Sequence, residues 1–162
     1  MLNRLTITLA AGAAALLCAT TAFAQLPNPY GASITLEAAR KAAAPALAEA
    51  QKNNFRMAVA VVDISGDLVF CEKMDGTQAA SVTIAVDKAR SSARFKRPTK
   101  ALQDALAAGG AGMRMLALDG AVPVEGGVPL IADGKIVGAI GVSGGTSEQD
   151  GQCAKAGADS VK

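Results

Sequence analysis

The segment from Ile136 to Asp150, IVGAIGVSGGTSEQD, constrains this chain more than any other. An apolar, β-prone run ends in a glycine-rich bend that opens directly into a helix. Thr146 and Gln149, three residues apart, form the pattern of a capping box at that helix start. The block therefore reads as a last strand, a tight corner and a helix packed back on the sheet. It also holds Gly141-x-Ser143-x-Gly145, the spacing of a nucleophile elbow in its strand-turn-helix setting. Glycines at a helix N-terminus suit an anion equally well. Catalysis, anion binding and simple packing are three readings of one corner.

Composition removes most of the catalytic reading. A serine hydrolase needs a base beside Ser143, and the commonest base is histidine. The chain contains none. Lys73, Lys88 or Lys135 would have to act as the base of a Ser-Lys pair, and no spacing favours any of them. The missing histidine also takes away the commonest metal and haem ligand. Cys71 and Cys153 with carboxylates make a poor tetrahedral set. Met113 and Met115 read as core filler, and an oxygen ligand such as Tyr30 or Thr99 would hold iron loosely.

The first residues read as an export leader. Arg4 precedes an apolar run from Leu5 to Leu17, and Ala22-Phe23-Ala24 fits a signal peptidase site, giving a leader over 1–24 and a start at Gln25. The run is too short for a comfortable membrane span, and Leu17 before Cys18 argues against a lipoprotein. The expected location is a periplasm. The 162 residues carry 16 basic and 14 acidic side chains; removing Arg4 with the leader leaves 15 against 14, a net charge of +1. That balance, with one Tyr and no Trp, argues against nucleic acid as a partner. Cys71 and Cys153 would remain in an oxidising compartment. They are either a disulfide, which would contribute about 4–5 kcal/mol by chain entropy, or two buried thiols.

Periodicity gives the order of elements. Residues 25–34, with Pro27 and Pro29, read as a flexible lead-in to a domain over 35–162. Thr35 caps a helix from Leu36 to Lys52, with Leu36, Ala39, Ala43, Leu47 and Ala50 on one stripe and Pro45 as a kink. Met57 to Ile64 and Leu68 to Lys73 form a hairpin about Ser65-Gly66-Asp67. A second helix opens at Thr77 or Gln78 and passes through Val82, Val86 and Ala89. Arg97-Pro98-Thr99 interrupts, and a short helix from Lys100 to Ala107 ends at Gly109-Gly110. The stretch to Ala121 fits no single state. Val128–Ala132 and Lys135–Val142 flank an Asp133-Gly134 turn. The pattern predicts an α+β sandwich, an antiparallel sheet with helices on its faces.

Two segments carry candidate ligand chemistry. Lys88, Arg90, Arg94, Lys96, Arg97 and Lys100 follow one another with no acid from 88 to 100. This is either a solvated helix end whose cations suit the dipole or a positive rim for carboxylates or phosphates. Phe95 among the charges suits a flat, acidic ligand. Downstream, Glu125-Gly126-Gly127 leads into a strand, and paired glycines let a backbone or ligand approach closely. Glu125 is either a surface acid or a general acid or base.

Several short segments occur in a telling order: Thr35 to Arg40 (TLEAAR), Ala60 to Asp63 (AVVD) with Gly66, Met74 to Gly76 (MDG), Asp87 to Ala89 (DKA), Phe95 to Thr99 (FKRPT), Glu125 to Pro129 (EGGVP), and Gly138 to Gly145 (GAIGVSGG) through Glu148 to Asp150 (EQD). Together they resemble the GlcG/HbpS-type haem-binding, haem-degrading family over nearly all of the chain past the leader. The resemblance implies a profilin-like α+β sandwich that assembles into homo-oligomers. It implies haem or a related tetrapyrrole as ligand. Phe95 would contact the macrocycle, Arg94, Lys96 and Arg97 would neutralise its propionates, and Thr99 would approach the iron. Glu125, Gly126 and Gly127 complete the expected cofactor-binding set. Other members use histidine at the iron, which this chain lacks. The leading expectation is an exported haem-binding protein for storage, sensing or degradation, a binder rather than an enzyme. The alternatives are a cofactor-free accessory module of a periplasmic oxidoreductase and a small-molecule enzyme built on Glu125.

Overall fold

The computed structural model describes residues 27–161. The expected leader and its cleavage site lie outside them. No helix among the described residues is long and apolar enough to cross a membrane.

The chain forms α1 (Leu36–Lys52), β1 (Ala58–Val62), β2 (Leu68–Lys73), α2 (Ser81–Phe95), α3 (Thr99–Ala107), a 3-10 segment (Gly110–Ala117), β3 (Gly127–Ala132), β4 (Lys135–Ser143) and α4 (Ser147–Ala158). The four strands make one antiparallel sheet in the order β2-β1-β4-β3. Helices α1 and α4 pack on one face and α2 on the other, the α+β sandwich that the sequence predicts.

Local chemistry accounts for the element ends. Thr35 accepts a hydrogen bond from the Ala38 N–H and starts α1. Thr146 and Gln149 form the capping box of α4, with both reciprocal bonds present. The β3–β4 turn places Asp133 and Gly134 at positive φ (49° and 72°), the backbone of a tight primed hairpin turn. Helix α1 runs unbroken through Pro45, with Ala39, Ala42, Ala43, Ala46 and Ala50 buried. Leu36, expected on its inner stripe, is exposed.

Alternation along β1 and β4 divides the core. Val59, Val61, Ile140 and Val142 face α1 and α4 with Met57, Leu130 and Cys153. Ala58, Ala60, Val62 and Ala139 face α2, where small residues bring the helix close. Gly141 marks the nearest approach, because a Cβ there would lie 2.0 Å from the Ala85 carbonyl oxygen. Gly141 is therefore a packing residue, and the elbow-like spacing around Ser143 belongs to the packing corner.

Three expectations change. Helix α2 begins at Ser81, and its buried line runs through Ala85, Lys88, Ala89 and Ser92 while Val82 and Val86 are only half-buried. Thr77 lies before the helix and donates to the Met57 carbonyl. The lead-in from Pro27 to Ile34 is tied down, at least from residue 28 onward. Asn28 donates to the Gly134 carbonyl, Gly31 to Ile136, and Ile34 to Val137, and Tyr30 bridges Ile136. The 3-10 segment buries none of its own residues, so that Met113, expected as core filler, and Leu116 are exposed, as is Leu118 just after it.

The two cysteines sit on opposite faces of the sheet, Cys71 against the α2 layer and Cys153 in the α1–α4 core, and both are free thiols. A disulfide between them is incompatible with this packing. Burial, reinforced by Glu49 and Asp150, pushes the Cys153 thiol up to about 11, and burial also raises Cys71. Iodoacetamide at about pH 8 should therefore label half-exposed Cys71 slowly and Cys153 only after unfolding. Peptide mass mapping showing Cys153 labelled first would contradict this packing.

Candidate functional site

The polar centre of the molecule is a buried ion pair. Lys88 projects from α2 to the mouth of the β3–β4 pair, where its Nζ lies 2.7 Å from Asp150 Oδ2 of α4. The same ammonium donates to the Val142 carbonyl at 3.3 Å, and the Gly145 N–H donates to Asp150 Oδ1 at 3.0 Å. Both side chains are almost fully enclosed. Burial raises the Asp150 carboxyl above the ordinary aspartate range, while Lys88 and the amides of Gly145 and Gly144 pull it back.

Gly126 makes the passage for Lys88. Its φ is +129°, and a Cβ there would come within 2.9 Å of Lys88 Nζ and 2.7 Å of the Val142 carbonyl oxygen. Gly127 follows with its Cα against the Lys88 carbonyl and the Thr99 methyl. The Gly127 N–H donates to Thr99 Oγ1 at 2.9 Å. The paired glycines thus serve close backbone approach to α2 and α3, one of the two uses the sequence suggested.

Over this corner lies a cleft of about 310 Å³, lined by Pro98 and Lys100 of the α3 start, Glu125, Gly127 and Val128 of the β3 start, and Gly151, Lys155 and Asp159 of α4. Its size falls at the lower end of the roughly 300–1,000 Å³ of small-molecule sites. Pro98, Val128 and the bare backbones of Gly127 and Gly151 supply the apolar surface. Lys100 pairs with Asp104, and Lys155 with Asp159, each four residues on along its helix. The hydrogen bond to Asp104 leads in raising Lys100 above the ordinary lysine value, and the charges of Asp104, Glu125 and Glu148 add to it. The Glu125 backbone N–H donates to Gln103 Oε1, but its carboxylate accepts no hydrogen bond and forms no ion pair among the described residues.

The expected site residues divide between two places. Glu125 and Gly127 line the cleft, with Gly126 and Thr99 directly behind it. Arg94, Phe95, Lys96 and Arg97 lie at the C-terminal end of α2 and are not in the cleft wall. The basic segment does not form one positive rim. Lys88 is buried on Asp150, Arg90 pairs with Asp87, and Lys100 with Asp104. Arg94 donates to the Ser65 carbonyl, Arg97 to the Phe95 carbonyl, and Lys96 stacks 4.1 Å from the Tyr30 ring centroid. Thr99, expected beside the iron, is fully buried with its hydroxyl engaged by Gly127. It offers no open side to a metal in this conformation. Among the described residues no group of three or more His, Cys, Asp or Glu could hold a metal ion.

Sequence reasoning missed Asp150 and misplaced Lys88. The signal was present: Lys88 lies three residues after Ala85 and four before Ser92, on the stripe that α2 buries.

Comparison with known proteins agrees with this architecture. The family described as "Haem degrading protein HbpS-like" matches residues 34–159. The chain belongs to that family. An uncharacterised 15.0 kDa protein of Citrobacter freundii is 36% identical over 121 residues, covering 74% of this chain and 85% of that protein. Protein GlcG of Escherichia coli K12 is 38% identical over 95 residues, 59% of this chain and 69% of GlcG. Among solved structures, a double mutant of HbpS from Streptomyces reticuli superposes with a TM-score of 0.74 at 31% identity, covering 94% of this chain and 99% of HbpS. The matched region of the HbpS-like family includes the whole cleft and the Lys88–Asp150 pair beneath it.

The ion pair carries a measurable load. Lys88→Met or Asp150→Leu alone leaves a buried charge without its partner and should cost about 3–5 kcal/mol. Lys88→Met with Asp150→Leu should recover much of that loss. Urea unfolding of the four proteins reads the cycle, and two single variants as stable as the parent would refute the role given to the pair.

Proposed function

We propose that this HbpS-like protein is exported and binds haem or a related tetrapyrrole in the cleft between α3, β3 and α4. The single observation that carries the reading is an apolar cleft with lysines at its mouth, inside the region matched by a family described as haem degrading. Pro98 and Val128 offer flat apolar contact. Lys100 and Lys155 can exchange their exposed partners Asp104 and Asp159 for ligand carboxylates at little cost, since exposed pairs of this kind contribute only about 0–1 kcal/mol. Arg97, which donates to the Phe95 carbonyl, lies outside the cleft wall.

The residues fit the edge of such a ligand better than its metal. A cleft of about 310 Å³ takes part of a tetrapyrrole and leaves the rest over the surface. Thr99 stays with Gly127, so the ring is held by its faces and carboxylates. Arg94 and Phe95, at the end of α2, are not part of the cleft wall.

Self-association through the exposed 3-10 segment is part of the same proposal. Met113 and Leu116 are 51% and 64% exposed, and apolar clusters of this kind mark contact surfaces. Sedimentation equilibrium of the purified protein should give a mass above the monomer, and a single monomer mass would exclude it.

Protein isolated from its host, with its N-terminus expected at Gln25, should titrate saturably with hemin and shift the Soret band. Val128→Glu, which places a charge in the apolar wall, should weaken that binding by about tenfold or more. No saturable change with either hemin or an open-chain tetrapyrrole, or full binding by Val128→Glu, would overturn the proposal.

A further inference from the structure

Glu125 is the unused group of the cleft. Its carboxylate lies against the bare Cα of Gly151, where a Cβ would meet Glu125 Oε1 at 2.3 Å and Cγ at 2.7 Å. The side chain is half-buried, and among the described residues its carboxylate has no donor. Asp159 in the cleft wall and Asp104 beside Lys100 each hold a lysine, whereas Glu125 holds none. A half-buried carboxylate with no donor of its own is free to accept N–H groups from a ligand, and charge-assisted hydrogen bonds are the strong ones.

A metallated macrocycle does not supply them. All four of its nitrogens point inward at the metal, and its outer groups are carbon and carboxylate. An open-chain tetrapyrrole differs in one decisive respect. Its pyrrole and lactam N–H groups lie along an exposed edge, while its two propionates remain available to lysine or arginine. The cleft wall holds an acceptor, Glu125, together with two cations, Lys100 and Lys155, a set that suits a ligand carrying both N–H donors and acids. Its modest volume suits one edge of a flexible open chain.

We infer that Glu125 selects linear, metal-free tetrapyrroles by accepting their N–H groups, so the cleft favours an open-chain ligand over haem. The inference rests on the tetrapyrrole reading of the cleft and names the ligand class within it.

The test compares biliverdin and hemin on the purified protein, read by absorbance and by induced circular dichroism of the bound chromophore. The parent should bind biliverdin at least as tightly as hemin. Glu125→Gln keeps the shape and removes the charge. It should weaken biliverdin by about tenfold or more, the size of a hydrogen bond to a charged acceptor, and leave hemin unchanged or tighter. Gly151→Ala retains the carboxylate but forces it off the α4 backbone, and should weaken biliverdin in the same direction. Saturable hemin binding with no biliverdin binding, or biliverdin binding indifferent to both variants, overturns the inference and leaves the tetrapyrrole reading standing. Failure of both ligands overturns the reading itself.

Discussion

The Lys88–Asp150 pair is the interaction on which the arrangement of this protein depends. It joins α2 on one side of the sheet to α4 on the other, past the strand end where Gly126 has no side chain to block it. Two charges taken out of water cost several kcal/mol each unless their remaining hydrogen-bonding capacity is met. Here Val142 takes a second lysine proton, and the Gly145 N–H meets the second aspartate oxygen. The pair is thereby bound to one geometry, and it fixes the position of α4 relative to β3 and β4.

That geometry determines what surrounds it. Lys88 brings its own carbonyl against Gly127, and Thr99 closes the same contact from α3. The start of β3, the start of α3 and the first half of α4 converge on one corner, and the cleft is the space left above it. The glycine bend at 144–145 and the capping box of Thr146 and Gln149 deliver Asp150 to the corner from the other direction. The family's most recognisable segment is therefore the support of the site. The cleft wall itself is supplied by residues that include Glu125, Val128, Lys100 and Lys155.

Much of this was legible in the sequence because local chemistry decides it. The Asp133-Gly134 turn, the Thr35 cap and the Thr146–Gln149 box each depend on residues a few positions apart, and each appears where its pattern places it. The site was legible only in outline. Glu125, Gly126 and Gly127 were recognisable as a close-approach segment, but the run of cations from Lys88 to Lys100 suggested one positive surface. In space its members face different ways, and three of their partners, Asp150, Ser65 and Tyr30, are distant in sequence. A lysine reads as a surface residue unless it falls on a buried stripe and an acid awaits it, and the acid lies 62 residues away. The lead-in was misread for a similar reason, since its bonds to β4 span about a hundred residues.

The proposed ligand site is the cleft above the corner supported by Lys88 and Asp150, away from the basic end of α2. Hydrogen exchange of the purified protein with and without saturating tetrapyrrole tests that placement most directly. The account predicts added protection at 98–103, 125–128 and 151–159, with little change at 63–67 and 93–96. Protection confined to 63–67 and 93–96, around Arg94 and Lys96, would contradict it.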